Sequence, residues 1–306
     1  MKYFLNNKEN IYNIKDTNIN FFHEFGGLRT KNIFKKKSKK SPLITIITVV
    51  KNDNKNIEKT IESVINQSYQ NIELIVIDGK SSDGTLNKIK KYDKKIDLWI
   101  SKEDKNLWEA LNLGIKFARG DIIGILNSND YFYKDSMKIV SKYFSTNCID
   151  FLFGAVQKNK VFYKFEPEKI YYRFNIYPSH SCGFFIKKHV QKIVGAYNPN
   201  YKYCSDYDYF YRLIVKKKMN GTSTKKKEVL GKFDLKGISS RVSFFKTYLY
   251  EMKIRYDNDQ NIIFLFFLFL TKLLNKLRNV IFNNWLKQYT KFLTTNDIEI
   301  TIKKNL

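Results

Sequence analysis

The chain has 306 residues, 43% of them apolar and 16% aromatic, enough to bury the core of one large domain with appendages or of two small ones. Lys and Arg total 55 against 29 Asp and Glu, a formal net charge of +26 that favours phosphate-bearing ligands, nucleic acid or an anionic membrane surface. The joint abundance of Lys, Asn, Ile, Phe and Tyr also fits an AT-rich coding bias, so charge alone selects no partner, and the three cysteines Cys148, Cys182 and Cys204, odd in number and without paired spacing, argue for buried or idle thiols in a reducing cytosol rather than a disulfide framework or a zinc site.

Met1–Asn10 is polar, and no signal peptide is expected there. Residues 1–40 read as a polar arm that ends in the basic run 35–40. Pro42 opens a strongly apolar stretch, and a domain is expected over 41–240. Leu43–Val50 reads as a buried strand; Ile57, Ile61, Val64 and Ile65 then fall at helical spacing. Ile72–Ile77 and Leu98–Ile100 read as further strands. Trp108, Leu111, Ile115 and Ala118 mark a helix, with Gly120 as its stop, and Ile122–Leu126 is a fourth strand. Strands alternating with helices predict an α/β domain built on a mostly parallel sheet. The rhythm then changes. Phe151–Val156 and Val161–Phe165 read as a hairpin around Gln157–Lys160, Gly183–Ile186 as a short strand, and Ser205 as the N-cap of a helix running through Leu213 and Val215.

The region 241–306 reads as a basic, amphipathic, helical tail. Ile262–Leu270 is nine apolar residues, short of the roughly 20 that span a bilayer. Beyond it Leu270, Leu273, Leu274, Leu277 and Ile281 form a stripe, with Lys272, Asn275, Lys276 and Asn279 opposite. Such a helix lies in a membrane interface, or else packs on a core or in a dimer.

The acids keep step with the strands. Asp53, Asp78, Asp104 and Asp130 follow the four strands at spacings of 25, 26 and 26 residues. Ligands bind at the carboxyl ends of strands in an open parallel sheet, so these carboxylates are expected along one edge. There they would hold a divalent cation that bridges phosphates, or accept hydrogen bonds from a base and a ribose. Each taken alone also suits a turn or a helix cap.

In this order the motifs resemble family 2 of the glycosyltransferases, inverting and of the GT-A type, over roughly Pro42 to Ser240. The run Ile44–Asn52 is similar to that family's opening nucleotide-binding strand, Thr60–Tyr69 to the helix after it, and Glu73–Gly79 with Ser81–Thr85 to the second strand and its loop. Ala110–Ile115 and Gly120-Asp121 lead to Leu126–Asp130, in the place of the DxD-type motif, and Asp206-Tyr207-Asp208 with Arg212 stands where the family keeps its catalytic base. Arg29, in Gly26–Arg29, is similar to an N-terminal lead-in of some bacterial polysaccharide members.

The resemblance implies a GT-A, Rossmann-like sheet flanked by helices. It implies a nucleotide pocket that draws on Val49, Asn52, Asp53, Asp78, Asp104, Asn112 and Asn129, with Asp78 on the base. It implies a divalent cation, Mn or Mg, at Asp130, and Asp206 as the general base. Lys51 departs from a position that is usually aromatic, Lys80 and Asn106 stand where glycines are common, and Asn129 replaces an Asp. The chemistry agrees: an acceptor hydroxyl is a poor nucleophile at neutral pH and needs a carboxylate to take its proton. Asp206 fills that part, Asp208 is the reserve, and His180 is a candidate for contact with phosphate or acceptor; a helix-start acid and a structural histidine are the plainer alternatives. The expected partners are a nucleotide-sugar donor, a glycan or lipid-linked acceptor and an anionic membrane surface, at the inner face of a bacterial cell membrane. Nucleic acid is not expected, because phosphate backbones prefer Lys and Arg to an acidic cleft. The rival expectations are a nucleotidyltransferase, disfavoured because residues 51–54 lack glycine, and a degraded relative that only binds membrane or polyanions.

Overall fold

The computed structural model of the chain describes residues 22–38, 41–173, 176–234 and 243–304. They fall into two compact units, Met1–Glu251 and Met252–Leu306. In chain order the first unit holds β1 (Glu24–Gly26), β2 (Ile44–Val50), α1 (Ile57–Ile65), β3 (Ile72–Asp78), α2 (Thr85–Lys91), β4 (Leu98–Ser101), α3 (Leu107–Phe117), β5 (Ile122–Ile125), β6 (Tyr131–Phe132) and α4 (Ser136–Thr146). It continues with β7 (Phe151–Phe153), β8 (Ala155–Gln157), β9 (Val161–Phe162), β10 (Phe184–Lys187), α5 (Lys188–Val194), α6 (Ser205–Tyr211), β11 (Gly221–Ser223) and β12 (Val229–Lys232). Two helices follow, α7 (Phe244–Asp257) and α8 (Ile262–Lys304).

The large sheet has the order β1-β4-β3-β2-β5-β10-β7-β11. Its centre, β4-β3-β2-β5, is parallel, and β1 and β10 flank it antiparallel. Every residue of β2 and β3 is buried, as unbroken apolar runs covered on both faces require. Helix α1 turns Ile57, Thr60, Ile61 and Val64 inward. Since β3 and β4 build to one side of β2 and β5 to the other, the strand order reverses beside β2, and the crevice of an open sheet lies at the carboxyl ends there.

Four details differ from expectation. Gly120 does not end α3 by a left-handed turn; the helix stops at Phe117 and Ala118 is extended. Gly120 is required because a Cβ there would sit 2.6 Å from the backbone nitrogen of Thr45. The run Phe151–Val156 breaks at Gly154, where a Cβ would meet Leu230 Cδ1 at 2.0 Å. So β7 joins the large sheet, while β8 pairs with β9 in a second sheet ordered β6-β12-β8-β9, with the expected hairpin at 158–160 intact. Ser205 is the first residue of α6 and caps nothing: its buried Oγ has no partner among the described residues. The same helix does run on through Leu213 and Val215, as a π-helical turn over Arg212–Lys216.

The arm expected over 1–40 is part of the sheet from Glu24. Strand β1 pairs with β4, and Leu28 and Arg29 donate backbone hydrogen bonds to Ile96 and Asp97 at 3.0 and 2.9 Å. Arg29 is 3% exposed; its Nη1 donates to Phe117 O at 2.8 Å and lies 3.6 Å from Glu73 Oε1. Glu73, on β3, accepts from Thr45 Oγ1 at 2.6 Å and from Arg119 N at 2.8 Å. Burial lowers the Arg29 pKa and pushes Asp97 up to about 7. This ion pair therefore fastens the lead-in to the amino-terminal side of the sheet, far along the strands from the acids at their other ends.

Helix α8 is 43 residues long. Among the described residues no helix is long and apolar enough to cross a membrane. Ile263, Phe267, Leu274, Leu277 and Ile281 are all exposed along it.

Removing one partner of a buried pair strands the other charge. Arg29→Met is expected to cost about 3 kcal/mol, read from the midpoint of urea unfolding; an unchanged midpoint would show that Glu73 is satisfied without it.

Candidate functional site

The loops that leave β2 and β5 face each other across the point where the strand order reverses. Asn52 takes a left-handed φ of 51°, which Asn tolerates, and its Oδ1 accepts from Ser82 N at 2.9 Å. Asp53 follows. Its Oδ1 accepts from Asn56 Nδ2 and its Oδ2 from Ser128 Oγ, both at 2.7 Å, so this carboxylate ties the β2 loop to the β5 loop. Thr60 Oγ1, on α1, donates to the carbonyls of Ser128 and Asp130. Val49 is 4% exposed and lies opposite Ile77 within the sheet, so its side chain belongs to the core.

Asp78 closes β3 and is 1% exposed. It accepts from Ser81 Oγ, from Ser81 N at 3.1 Å and from Ser101 Oγ at 2.7 Å, which leaves about one of its four lone-pair positions for a ligand. Lys80 adopts φ 57°, the left-handed conformation that makes glycine common there. Asp104 lies against Gly79: a Cβ on Gly79 would be 2.7 Å from Asp104 Oδ2 and 3.2 Å from Lys51 Cδ. The ends of three strands thus converge on one small residue, with an ammonium-bearing stem and a carboxylate beside it. Burial is the main influence on Asp104 and raises its pKa; Lys51 opposes it. Asn106 caps α3, accepting from Trp108 N at 3.0 Å and Glu109 N at 3.2 Å. Asn112 brackets Tyr197, donating to its O at 2.8 Å and accepting from its N at 2.9 Å. It ties α3 to the 195–204 segment, and its amide is spent there rather than on a nucleotide.

Asp130 departs from expectation. It is 1% exposed, with Oδ2 bonded to Ser181 Oγ and Oδ1 accepting from Asp234 N at 2.8 Å. Burial pushes it up to about 7. The carboxylate faces into the fold and joins the β5 loop to the 177–182 segment, whose Ser181 Oγ also accepts from Asn127 N at 2.8 Å. The residues that flank it in the partly exposed loop are the neutral Asn127 and Asn129. Among the described residues no group of three His, Cys, Asp or Glu side chains could hold a metal. Asp53 and Asp130 each accept two hydrogen bonds from protein donors, one on each oxygen, so fewer of their lone pairs are left for the expected Mn or Mg.

The second half of the site is built on the 177–182 segment and α6. Asp206 is partly exposed. Its Oδ2 accepts from Tyr177 OH at 3.0 Å and its Oδ1 from Tyr207 N at 2.9 Å. Burial, only partly offset by these bonds, pushes it up to about 6. Asp208 is buried and bonded to Arg212, at 3.0 Å from Nε and 2.9 Å from Nη2, and Arg212 also donates to Val194 O and Ala196 O. This pair anchors α6 and does not offer a base. His180 sits among the rings of Trp108, Phe184, Tyr197 and Phe210, with Nε2 2.9 Å from Tyr197 OH. Burial pushes it down to about 3, so it is a neutral imidazole and not a cation for phosphate.

Sequence reasoning missed Tyr177, Ser179 and Ser181, although the His180 segment contains all three. Ser179 Oγ, Ser205 Oγ and Asn127 Oδ1 are buried with no partner among the described residues. Buried polar atoms are rarely left so.

A family model described as Glycosyl transferase family 2 matches residues 45–198. The chain is 33% identical over 135 residues to WfgD of Escherichia coli, a UDP-Glc:alpha-D-GlcNAc-diphosphoundecaprenol beta-1,3-glucosyltransferase, covering 42% of this chain and 53% of that protein. It spans 59% and 53% of the length of two of the curated relatives it matches, and 40% of a third. Its fold is similar to Staphylococcus aureus TarS in complex with UDP-GlcNAc, with TM-score 0.54 and 14% identity over 73% of this chain and 69% of that one. It is also similar to the mannosyltransferase PcManGT of Pyrobaculum calidifontis, in complex with GDP-Man and Mn2+, with TM-score 0.54 and 13% identity over 76% and 70%. At these identities the two structures establish the α/β fold with its large, mostly parallel sheet.

The raised pKa of Asp130 fixes a sign. Its contribution to stability is full below the ordinary carboxylate value of 3.8 and is lost as pH rises through about 7. Asp130→Asn removes that loss, so its thermal midpoint is expected to fall less than the parent's between pH 5 and 8. Parallel pH profiles for the two proteins would contradict the buried placement.

Proposed function

Since the chain belongs to glycosyl transferase family 2, we propose that it transfers a sugar from a UDP-linked donor to a hydroxyl of a glycan or lipid-linked acceptor, in bacterial surface-polysaccharide synthesis. The observation that carries this reading is the Asp206 carboxyl, held by Tyr177 and pushed up to about 6 by burial. WfgD acts with UDP-Glc and TarS binds UDP-GlcNAc, which supports UDP as the nucleotide and a hexose-type sugar as its cargo.

The step is an inverting displacement. The acceptor oxygen forms a bond to the anomeric carbon as the carbon–oxygen bond to the nucleoside diphosphate breaks. The bonding pair leaves on the diphosphate, and the acceptor proton passes to Asp206. A base with a pKa near 6 is ionised at neutral pH and still basic enough to share a proton in the transition state. Asp53 and Asp78 hold the β2 and β3 loops in shape through Ser128, Ser81 and Ser101, while Asp104 and the exposed Asn52 are the polar groups left for nucleoside contact.

The acceptor reading draws on α8. Its exposed Phe266, Phe267, Leu274 and Leu277, with Lys272, Lys276 and Arg278 in the same turns, suit the interface of an anionic membrane, at the cytoplasmic face where lipid-linked acceptors are extended. A non-catalytic role in binding membrane or polyanions is the second reading, favoured by the neutral pair Asn127 and Asn129; turnover of any donor excludes it.

Asp206→Asn is expected to lower UDP release by at least about 100-fold and to leave UDP affinity unchanged, and the parent's kcat/KM is expected to fall as pH drops below about 6, because the base must be ionised. A near-parental rate for the variant would remove Asp206 from the role. For the tail, the full chain is expected to sediment with phosphatidylglycerol vesicles, less so at high salt, and a Phe266→Ser, Phe267→Ser variant to stay in solution; equal recovery of both in the supernatant would remove the membrane from the account.

A further inference from the structure

We infer that this chain holds its donor's diphosphate without a carboxylate-bound divalent cation, using the neutral amides of Asn127 and Asn129 with lysine ammonium groups nearby. The inference rests on the reading of the site as a nucleotide-sugar site.

A hard divalent cation is held by carboxylate oxygens with free lone pairs. At this crevice three of the four carboxylates already accept at least two hydrogen bonds from the protein. Asp53 spends one oxygen on Asn56 and the other on Ser128. Asp78 is bonded by Ser81 and Ser101. Asp130, at 1% exposed, spends its two oxygens on Ser181 and on the backbone of Asp234. Asp104 rests against Gly79 on a different strand end. The loop positions that remain partly exposed, Asn127 and Asn129, carry no charge. An amide oxygen binds a hard cation more weakly than a carboxylate, but an amide nitrogen donates directly to a phosphate oxygen, which a carboxylate cannot do.

A lysine stands beside each of two of these acids, Lys51 by Asp104 and Lys158 by Asp130. The stem of Lys51 reaches the Gly79 position beside Asp104. Lys158, in the turn between β8 and β9, feels the charge of Asp130 and packs its ammonium 4.9 Å and 4.7 Å from the rings of Phe162 and Phe233. A half-desolvated ammonium gains more from an anion than a solvated one does. When the bond to the anomeric carbon breaks, these cations take up the charge that gathers on the diphosphate.

Isothermal titration of the full chain with UDP, in EDTA and in excess Mn, tests this. The two dissociation constants are expected to agree within about threefold. The double variant Asn127→Asp, Asn129→Asp is expected to bind UDP more weakly in EDTA and to recover at least about tenfold in affinity on addition of Mn. Affinity in the parent that collapses in EDTA and returns with Mn overturns the inference and leaves the transferase reading standing. No binding of UDP, GDP, CDP or dTDP in either buffer overturns both. A folded double variant indifferent to Mn overturns the part given to Asn127 and Asn129.

Discussion

A carboxylate taken out of water must find donors or give up its charge, and the carboxyl end of this sheet is organised around that requirement. Asp78 and Asp130 are each 1% exposed, on segments that emerge from different strands. Their donors come from neighbouring loops: Ser101 from β4 and Ser81 for the first, Ser181 and the Asp234 backbone for the second. Asp53 reaches Ser128 in the same way. Each acid therefore acts as a clasp between two loops. The crevice keeps its shape because breaking any one clasp would leave a charge or a hydroxyl buried and unpaired, which costs on the order of 1–3 kcal/mol each.

The half of the site built on the 177–182 segment and α6 is held by stacking and by an ion pair. Trp108, Tyr197 and Tyr209 lie face to face, with centroids 5.4 and 4.1 Å apart, and the Arg212 guanidinium lies 5.4 Å from the Tyr209 ring. Asn112 clips α3 to the middle of this stack through the Tyr197 backbone, and Asp208 fixes Arg212 at its end. His180 closes the box as a neutral group. Of the two acids at the start of α6, Asp206 has its carboxyl held by a phenol and a backbone N–H rather than by a guanidinium. Fold and reactivity are separated within three residues: Asp208 is committed to packing, and Asp206 is left to titrate.

The sheet was legible because period and burial agree: runs such as Ile44–Val50 and Ile72–Asp78 are apolar throughout, and only buried parallel strands have that pattern. The 25- and 26-residue spacing of the acids correctly implied one edge. What it did not carry was direction. Whether Asp130 points out to a ligand or in to Ser181 depends on a segment about 50 residues further on, and no local pattern encodes that pairing. The same holds for Asn112 and Asp208, whose partners Tyr197 and Arg212 decide between a pocket and a tie-rod. The break at Gly154 was hidden because an apolar run reads alike whether it feeds one sheet or two.

The proposed transfer requires the Asp206 carboxyl to be raised by burial toward neutrality. Carbon-13 NMR titration of its side-chain carboxyl carbon in the full chain measures this directly. The structure predicts a midpoint of about 6. A midpoint in the ordinary carboxylate range near 4 would mean that water reaches the group freely, and that Asp206 is a helix-start acid rather than a base.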